Sequence, residues 1–255
     1  MEAMIFAAGI GSRLKPFTLT QPKALAPVAG IPALQRCMTR LHTAAQVNHM
    51  VINIHHFPDE IRRYIRENPM PDVDITFADE SGLLLDTGGG LLNAATLFHS
   101  GVEPVLLHNA DIVTDAPLDE MISSFKESGA DAMLLTDPHR SSSRLLWFDK
   151  KTLRLVGWTN SNDGETRPAG FSPDPTRQFP AAFNGVHIVS LKKIIPMLKR
   201  YAGINGPVFS LTPFYLWAIT RGADVMAFVP EDPYRWHDIG TPAKLAAASC
   251  DFGGS

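Results

Sequence analysis

The chain has 255 residues, 23 Lys+Arg against 26 Asp+Glu, and a formal net charge of −3, a balance that argues against a nucleic-acid binder with its usual basic face. At 45% hydrophobic and 19% charged residues it has the composition of a globular chain, not a disordered one. Its two cysteines are too few for a disulfide framework, no basic signal-peptide stretch opens it, and the apolar run 3–8 stops at Gly9, so a cytoplasmic protein without a membrane anchor is expected.

Short β-rich runs alternate with helical patterns. Strands are expected near 2–8, 49–54, 73–78, 104–109 and 131–136. Between them Ile61, Tyr64 and Ile65 share one helical face, as do Leu118, Met121, Ile122 and Phe125. This alternation predicts an α/β fold, a mainly parallel sheet covered by helices on both sides. The pattern then changes. Residues 144–149 and 153–158 flank a short polar turn and read as a hairpin. Residues 159–180, rich in Asn, Gly, Pro and Ser, read as a long loop suited to a lid or a substrate wall. A strand over 181–190, helices near 191–200 and 211–221, a strand near 223–229 and a helix after Pro242 complete the chain. With no internal repeat, one domain spanning 1–255 is expected, and 140–190 reads as an insertion into its α/β core.

The first strand leads into AAGIGSRLKPFTLTQPK, residues 7–23. Beyond Ala8, Gly9 and Gly11 allow a tight turn and close approach to a ligand, and the freed backbone N–H groups form a concave nest for phosphate oxygens. Arg13, Lys15 and Lys23 add positive charge beside that nest. A dinucleotide fingerprint would need a third glycine where Leu14 stands and a helix that Pro16 would damage; a Walker loop would need Gly-Lys, and Pro22 precedes Lys23. A second apolar strand ends at Asn109-Ala110-Asp111, and ligands of open α/β sheets bind beyond such carboxyl ends. Asp238, in RWHDIGTP, precedes a turn into a helix. Two carboxylates are hard oxygen ligands, and Mg²⁺ typically takes one or two of them together with substrate phosphates. In LLLDTGGG, residues 83–90, consecutive glycines suit close approach to a base or ribose. His55, His56 and His237 lack zinc-type spacing with cysteines.

Together these segments resemble the signature of the sugar nucleotidyltransferase family. Gly9, Gly11, Arg13, Pro16, Thr18, Pro22 and Lys23 match Gly-x-Gly-x-Arg followed by Pro-x-Thr and Pro-Lys, and Asn109-x-Asp111 and Trp236-x-Asp238-x-Gly240-Thr241 match its two later motifs. The resemblance implies a three-layer α/β/α Rossmann-like domain that joins an NMP unit from an NTP to a sugar 1-phosphate and releases pyrophosphate. By that resemblance Arg13 holds the leaving phosphates, Lys23 sits beside the α-phosphate and the sugar phosphate, and Asp111 and Asp238 bind Mg²⁺. Ala8, Gly9, Gly11, Thr87, Gly88, Gly89 and Asn109 line the nucleotide side, Asn184 and Gly185 contact the sugar, and the 140–190 insertion forms part of the sugar side. The family's acidic-Lys-Pro element has only Glu165-Thr166-Arg167-Pro168 as its counterpart, with lysine replaced, so its phosphate-holding role is not carried to Arg167. Asp86 stands where many relatives have glycine and resembles the N-acetylmuramate-1-phosphate uridylyltransferase branch, which implies UTP, a muramic substrate and a place in cell-wall recycling. Guanylyltransferases of mannose or heptose phosphates share most other motifs. A nicotinamide oxidoreductase and a non-catalytic sugar-nucleotide sensor are the alternatives of other classes. A left-handed β-helix domain, and with it a second acetyltransferase activity, is not expected.

Overall fold

Successive side chains of a strand point to opposite faces, and the first strand is apolar on both. In the computed structural model, which describes residues 1–254, β1 (Glu2–Phe6) buries Ala3 and Ile5 on one side and Met4 on the other. There follow β2 (Pro27–Val28), β3 (Ile31–Pro32), α1 (Ala33–Ala45), β4 (His49–Ile54), α2 (Pro58–Glu67), β5 (Asp74–Asp79) and α3 (Asp86–Ala94). Next come β6 (Val105–Asn109), β7 (Ile112–Thr114), α4 (Leu118–Ser128), β8 (Ala132–Asp137), β9 (Arg144–Asp149), β10 (Leu155–Asn160) and β11 (Thr166–Arg167). The last are β12 (Gln178–Val189), α5 (Leu191–Asn205), α6 (Leu211–Ile219), β13 (Val225–Phe228), β14 (Trp236–Asp238) and α7 (Pro242–Phe252).

The main sheet runs β5-β4-β1-β6-β12-β9-β10-β11, with β8 against β12 and β13 against β8. β5, β4, β1 and β6 are parallel, as are β8 and β13, while β12 is antiparallel to β6, β8 and β9. Ile5, Ile52 and Leu106 pack against Leu34, Met38 and Leu41 of α1 and against α2 and α4. Met4, Val51 and Leu107 pack against Leu91 and Ala94 of α3 and against α5 and α6. The result is the three-layer α/β/α arrangement.

Four local features differ from the sequence reading. The spacing of Leu34, Cys37, Met38 and Leu41 makes α1, which that reading leaves out. The consecutive glycines of residues 88–90, read from the sequence only as a place of close approach, lie inside a helix, α3. The loop expected over 159–180 carries β11, which adds an edge to the sheet, and β12 starts at Gln178. Finally, β7 and β14 form a small sheet of their own. No helix among the described residues is long and apolar enough to cross a membrane.

Candidate active site

A cavity of about 430 Å³ opens at the carboxyl ends of β1 and β6, where an α/β sheet presents its loops to a ligand. Ala8, Gly9, Gly11, Arg13, Lys23, Thr87, Asn109 and Asp111 all line it. The turn leaving β1 is braced from below. The Asn53 side-chain oxygen accepts the N–H groups of Ala7 at 2.7 Å and Ala8 at 3.3 Å, so the Ala8 N–H is already committed. The Asn53 amide in turn donates to Glu80 at 2.8 Å, and the second Glu80 oxygen accepts the Leu85 N–H at 3.0 Å. Asn53 and Glu80, both buried, thereby tie the glycine loop to the start of α3. Sequence reading missed Asn53, a polar residue between the apolar Ile52 and Ile54; only that anomaly marked it.

Gly11 has φ +65°, and a Cβ there would come within 2.8 Å of Thr18 Cγ2 and 2.9 Å of Lys23 Cβ. The Thr18 hydroxyl donates to the Gly11 carbonyl at 2.9 Å. This close contact brings Lys23 under the loop, where its ammonium pairs with Asp111. Across from Asp111 lies the second aspartate. Antiparallel pairing sets Asp238 of β14 opposite Ile112 of β7, and the Ile239 N–H donates to the Asp111 carbonyl at 3.0 Å. Asp238 accepts the Gly240 N–H at 2.6 Å and pairs with Lys244. Burial alone would raise its carboxyl, but Lys244, the Gly240 N–H and the nearby Lys23 outweigh burial and hold it below the usual carboxylate range. Gly240 must stay small because a Cβ there would come within 2.5 Å of Asp238 Oδ1, and the Arg13 guanidinium lies 3.4 Å from the same point. The four residues expected to carry the chemistry, distant in sequence, therefore converge.

The nucleoside-side glycines do something other than expected. Neither Gly88 nor Gly89 lines the cavity; their N–H groups donate to the Phe209 carbonyl at 2.8 and 3.2 Å. A Cβ at Gly88 would meet the Phe209 ring at 2.4 Å, and one at Gly89 the Pro207 carbonyl at 2.1 Å. Close packing of α3 against the chain before α6, not backbone approach to a base, requires them small. Asp86 and Thr87 face the cavity instead. Asp86 has φ +58° and caps the Thr87 N–H at 2.6 Å, with its other oxygen accepting from the Ser210 hydroxyl. Aspartate tolerates that left-handed conformation better than most residues.

Asn184 and Gly185 do not line the cavity either. Asn184 is fully buried and its polar atoms are engaged: Oδ1 accepts from Arg140 at 2.8 Å, Nδ2 donates to Tyr234 at 2.5 Å, and its carbonyl accepts the Trp236 indole N–H at 2.9 Å. Gly185, φ +78°, sits in the register shift of β12 against β8. Asn184 thereby forms a brace that holds Trp236, two residues before Asp238. Arg140 stacks on the Trp236 ring at 4.2 Å. Arg167 lies on the edge strand β11, paired with Glu165 and over the Trp158 ring, away from the cavity. His237, the neighbour of Asp238 in the chain, bonds Asp251 at 2.8 Å.

Comparison with known proteins agrees with this geometry. A family model described as nucleotidyl transferase matches residues 2–145. The chain is 32% identical to the N-acetylmuramate alpha-1-phosphate uridylyltransferase of Caulobacter vibrioides, over 96% of this chain and 94% of that protein. It is 27% identical to the mannose-1-phosphate guanylyltransferase of Mycobacterium tuberculosis, over 99% of this chain and 64% of that protein. Its fold is similar to that of HddC from Yersinia pseudotuberculosis, crystallised with GMP-PN, at a TM-score of 0.71 and 19% identity over 98% of this chain and 99% of that one.

Proposed function

The chain belongs to the nucleotidyl transferase family and acts as a sugar-1-phosphate nucleotidyltransferase, and from that premise we propose that it transfers UMP from UTP to N-acetylmuramic acid 1-phosphate. The observation that carries this choice is the 32% identity to a uridylyltransferase of that specificity along nearly the whole of both chains. The acidic residue at Asp86 supports it.

In this reading a sugar-phosphate oxygen attacks the α-phosphorus, a new P–O bond forms, the bond to the β-phosphate oxygen breaks, and pyrophosphate leaves with the electron pair. The attacking group is already ionised, so the protein supplies position and charge, not a nucleophile. The turn at Gly9–Gly11 receives phosphate oxygens, Arg13 holds the departing pyrophosphate, and Lys23 lies beside the two reacting phosphates. Asp111 and Asp238 suit a hard divalent cation such as Mg²⁺: both offer carboxylate oxygens and stand on neighbouring chain segments. When bound, that ion would neutralise charge between the two phosphates. Lys23 pairs with Asp111 and Lys244 with Asp238, and Lys244 helps hold the Asp238 carboxyl below the usual carboxylate range against its burial.

The test is pyrophosphate release with a matrix of NTPs and sugar 1-phosphates. The expected kcat/KM for UTP with the muramic substrate exceeds that for GTP with mannose or heptose phosphate by more than about 100-fold, because a mismatched base leaves buried polar groups unpaired. A preference for the guanylyl pair would overturn the substrate assignment and leave the transferase activity in place.

A further inference from the structure

At the opposite ends of the strands from the cavity, three side chains from separate segments converge. Glu2 opens β1 and His49 opens β4, and the two residues are partners in the parallel register. His99 follows α3. The His49 Nδ1 lies 2.9 Å from Glu2 Oε2, the His99 Nδ1 bonds Glu2 Oε1, and the His99 backbone N–H reaches Glu2 Oε2 at 3.2 Å. Glu2 and His49 are buried, whereas the His99 side chain is 69% exposed. Among the described residues no Lys or Arg pairs with Glu2; its ionic partners are these two imidazoles, which carry charge only when protonated.

We propose that Glu2, His49 and His99 form a site for a borderline divalent transition-metal ion, represented here by Zn²⁺. Two imidazoles and one carboxylate are a donor set that zinc accepts, with water completing four-coordination. One ligand atom from each residue lies within 4.8 Å of the others. Ligands about 2.1 Å from a tetrahedral ion stand about 3.4 Å apart, so small side-chain rotations close the site. The outer nitrogen of His49 is already braced: Nε2 lies 3.0 Å from the Thr76 hydroxyl, the kind of partner that fixes the tautomer and ring orientation of a metal-bound histidine. The exposed face of His99 gives an entry path. Two imidazoles disfavour Mg²⁺, which prefers oxygen, so the site is chemically distinct from Asp111 and Asp238. Such an ion would set a permanent cation beside the buried carboxylate and pin the segment after α3 to the strands it abuts.

The test is calorimetric titration of chelator-treated full-length protein with ZnCl₂ in excess Mg²⁺, paired with thermal unfolding. Wild type should bind one equivalent at this site, and its Tm should rise by about 5 °C at saturation. His99→Ala, an exposed change that spares the core, should weaken this binding by about 100-fold and abolish the Tm rise, and Thr76→Val should weaken it by about 10-fold. Asp111→Asn should leave it unchanged. With Co²⁺ in place of Zn²⁺, wild type should show the visible absorption of a four-coordinate ion, and His99→Ala should not. Zinc binding unaltered by His99→Ala would place the ion elsewhere and overturn the proposal. So would the absence of binding at millimolar zinc, which would leave a hydrogen-bonded triad only.

Discussion

Gly9 and Gly11 look alike in the sequence, yet only one of them is required by the fold. Gly11 is required by the fold, because its φ is +65° and a side chain would strike Thr18 and Lys23. Gly9 is not: a Cβ there meets nothing within 4 Å, and its φ lies outside the left-handed range. A glycine that lines the cavity without a steric reason in the protein is explained by a ligand that comes close. Gly9→Ala should therefore leave Tm within about 1 °C of wild type, a surface-like effect, and raise KM for the NTP by about 10-fold or more, since one misplaced contact against phosphate removes over about 1.4 kcal/mol. Unchanged steady-state kinetics would remove Gly9 from the nucleotide site. For Arg13→Ala, a positioned arginine in phosphoryl transfer is worth roughly 10³-fold in turnover. Turnover within about threefold of wild type, with native circular dichroism, would remove that role. Asp111→Asn and Asp238→Asn should each abolish most Mg²⁺-dependent turnover, and the double variant should be little worse, because ligands of one ion act as a unit. Multiplicative losses in that double-mutant cycle would assign the two aspartates to separate sites.

At the scale of elements, α3 and the pair β7–β14 do the positioning. α3 is wedged between the chain at Pro207–Phe209 and the Asn53–Glu80 brace; even Gly90 would carry its Cβ to within 2.8 Å of Glu80 Oε1. Forcing a methyl into such a contact typically costs about 1–3 kcal/mol. Gly89→Ala, facing a backbone oxygen that cannot swing aside, should lower stability in urea by at least about 2 kcal/mol. Gly82→Ala, where a Cβ meets nothing within 4 Å, serves as the neutral control. Equal stability of the two variants would show that α3 repacks freely. The glycine run was legible as a place of close approach, but not what approaches it. That depends on residues 207–209, which lie more than a hundred positions away and carry no signal of pairing with α3. Likewise β14 is three residues long, too short for any periodicity to announce it, though it is the element that delivers Asp238 to Asp111.

For the whole molecule, the buried middle of the sheet predicts a pH response. Burial, with a smaller contribution from the charge of His108, pushes the His187 imidazole down to about 3; burial, only partly offset by the Asn109 carbonyl and Asp111, pushes His108 down to about 4. The unfolded chain takes up these protons near pH 6.5 and the folded chain only well below it, so the unfolded state binds more protons throughout the interval. The stabilisation is complete above about pH 6.5 and is lost as pH falls toward 4 and then 3, with each histidine contributing a slope of roughly 1.4 kcal/mol per pH unit. Urea midpoints should fall between about pH 7 and pH 5, and His187→Gln should flatten that fall; a midpoint constant across the range would refute the linkage. By itself the sequence determined the layered α/β fold, the glycine turn after β1, and Arg13, Lys23, Asp111 and Asp238 as candidates, because strand periodicity and glycine-and-base motifs are local in the chain. Only the tertiary structure decided that the two aspartates are neighbours, that Gly88 and Gly89 pack against Phe209 and Pro207, that Asn184 is a buried brace, and that Glu2, His49 and His99 meet. Each of these is a contact between distant segments, fixed by strand register and side-chain packing, which no spacing within one segment encodes.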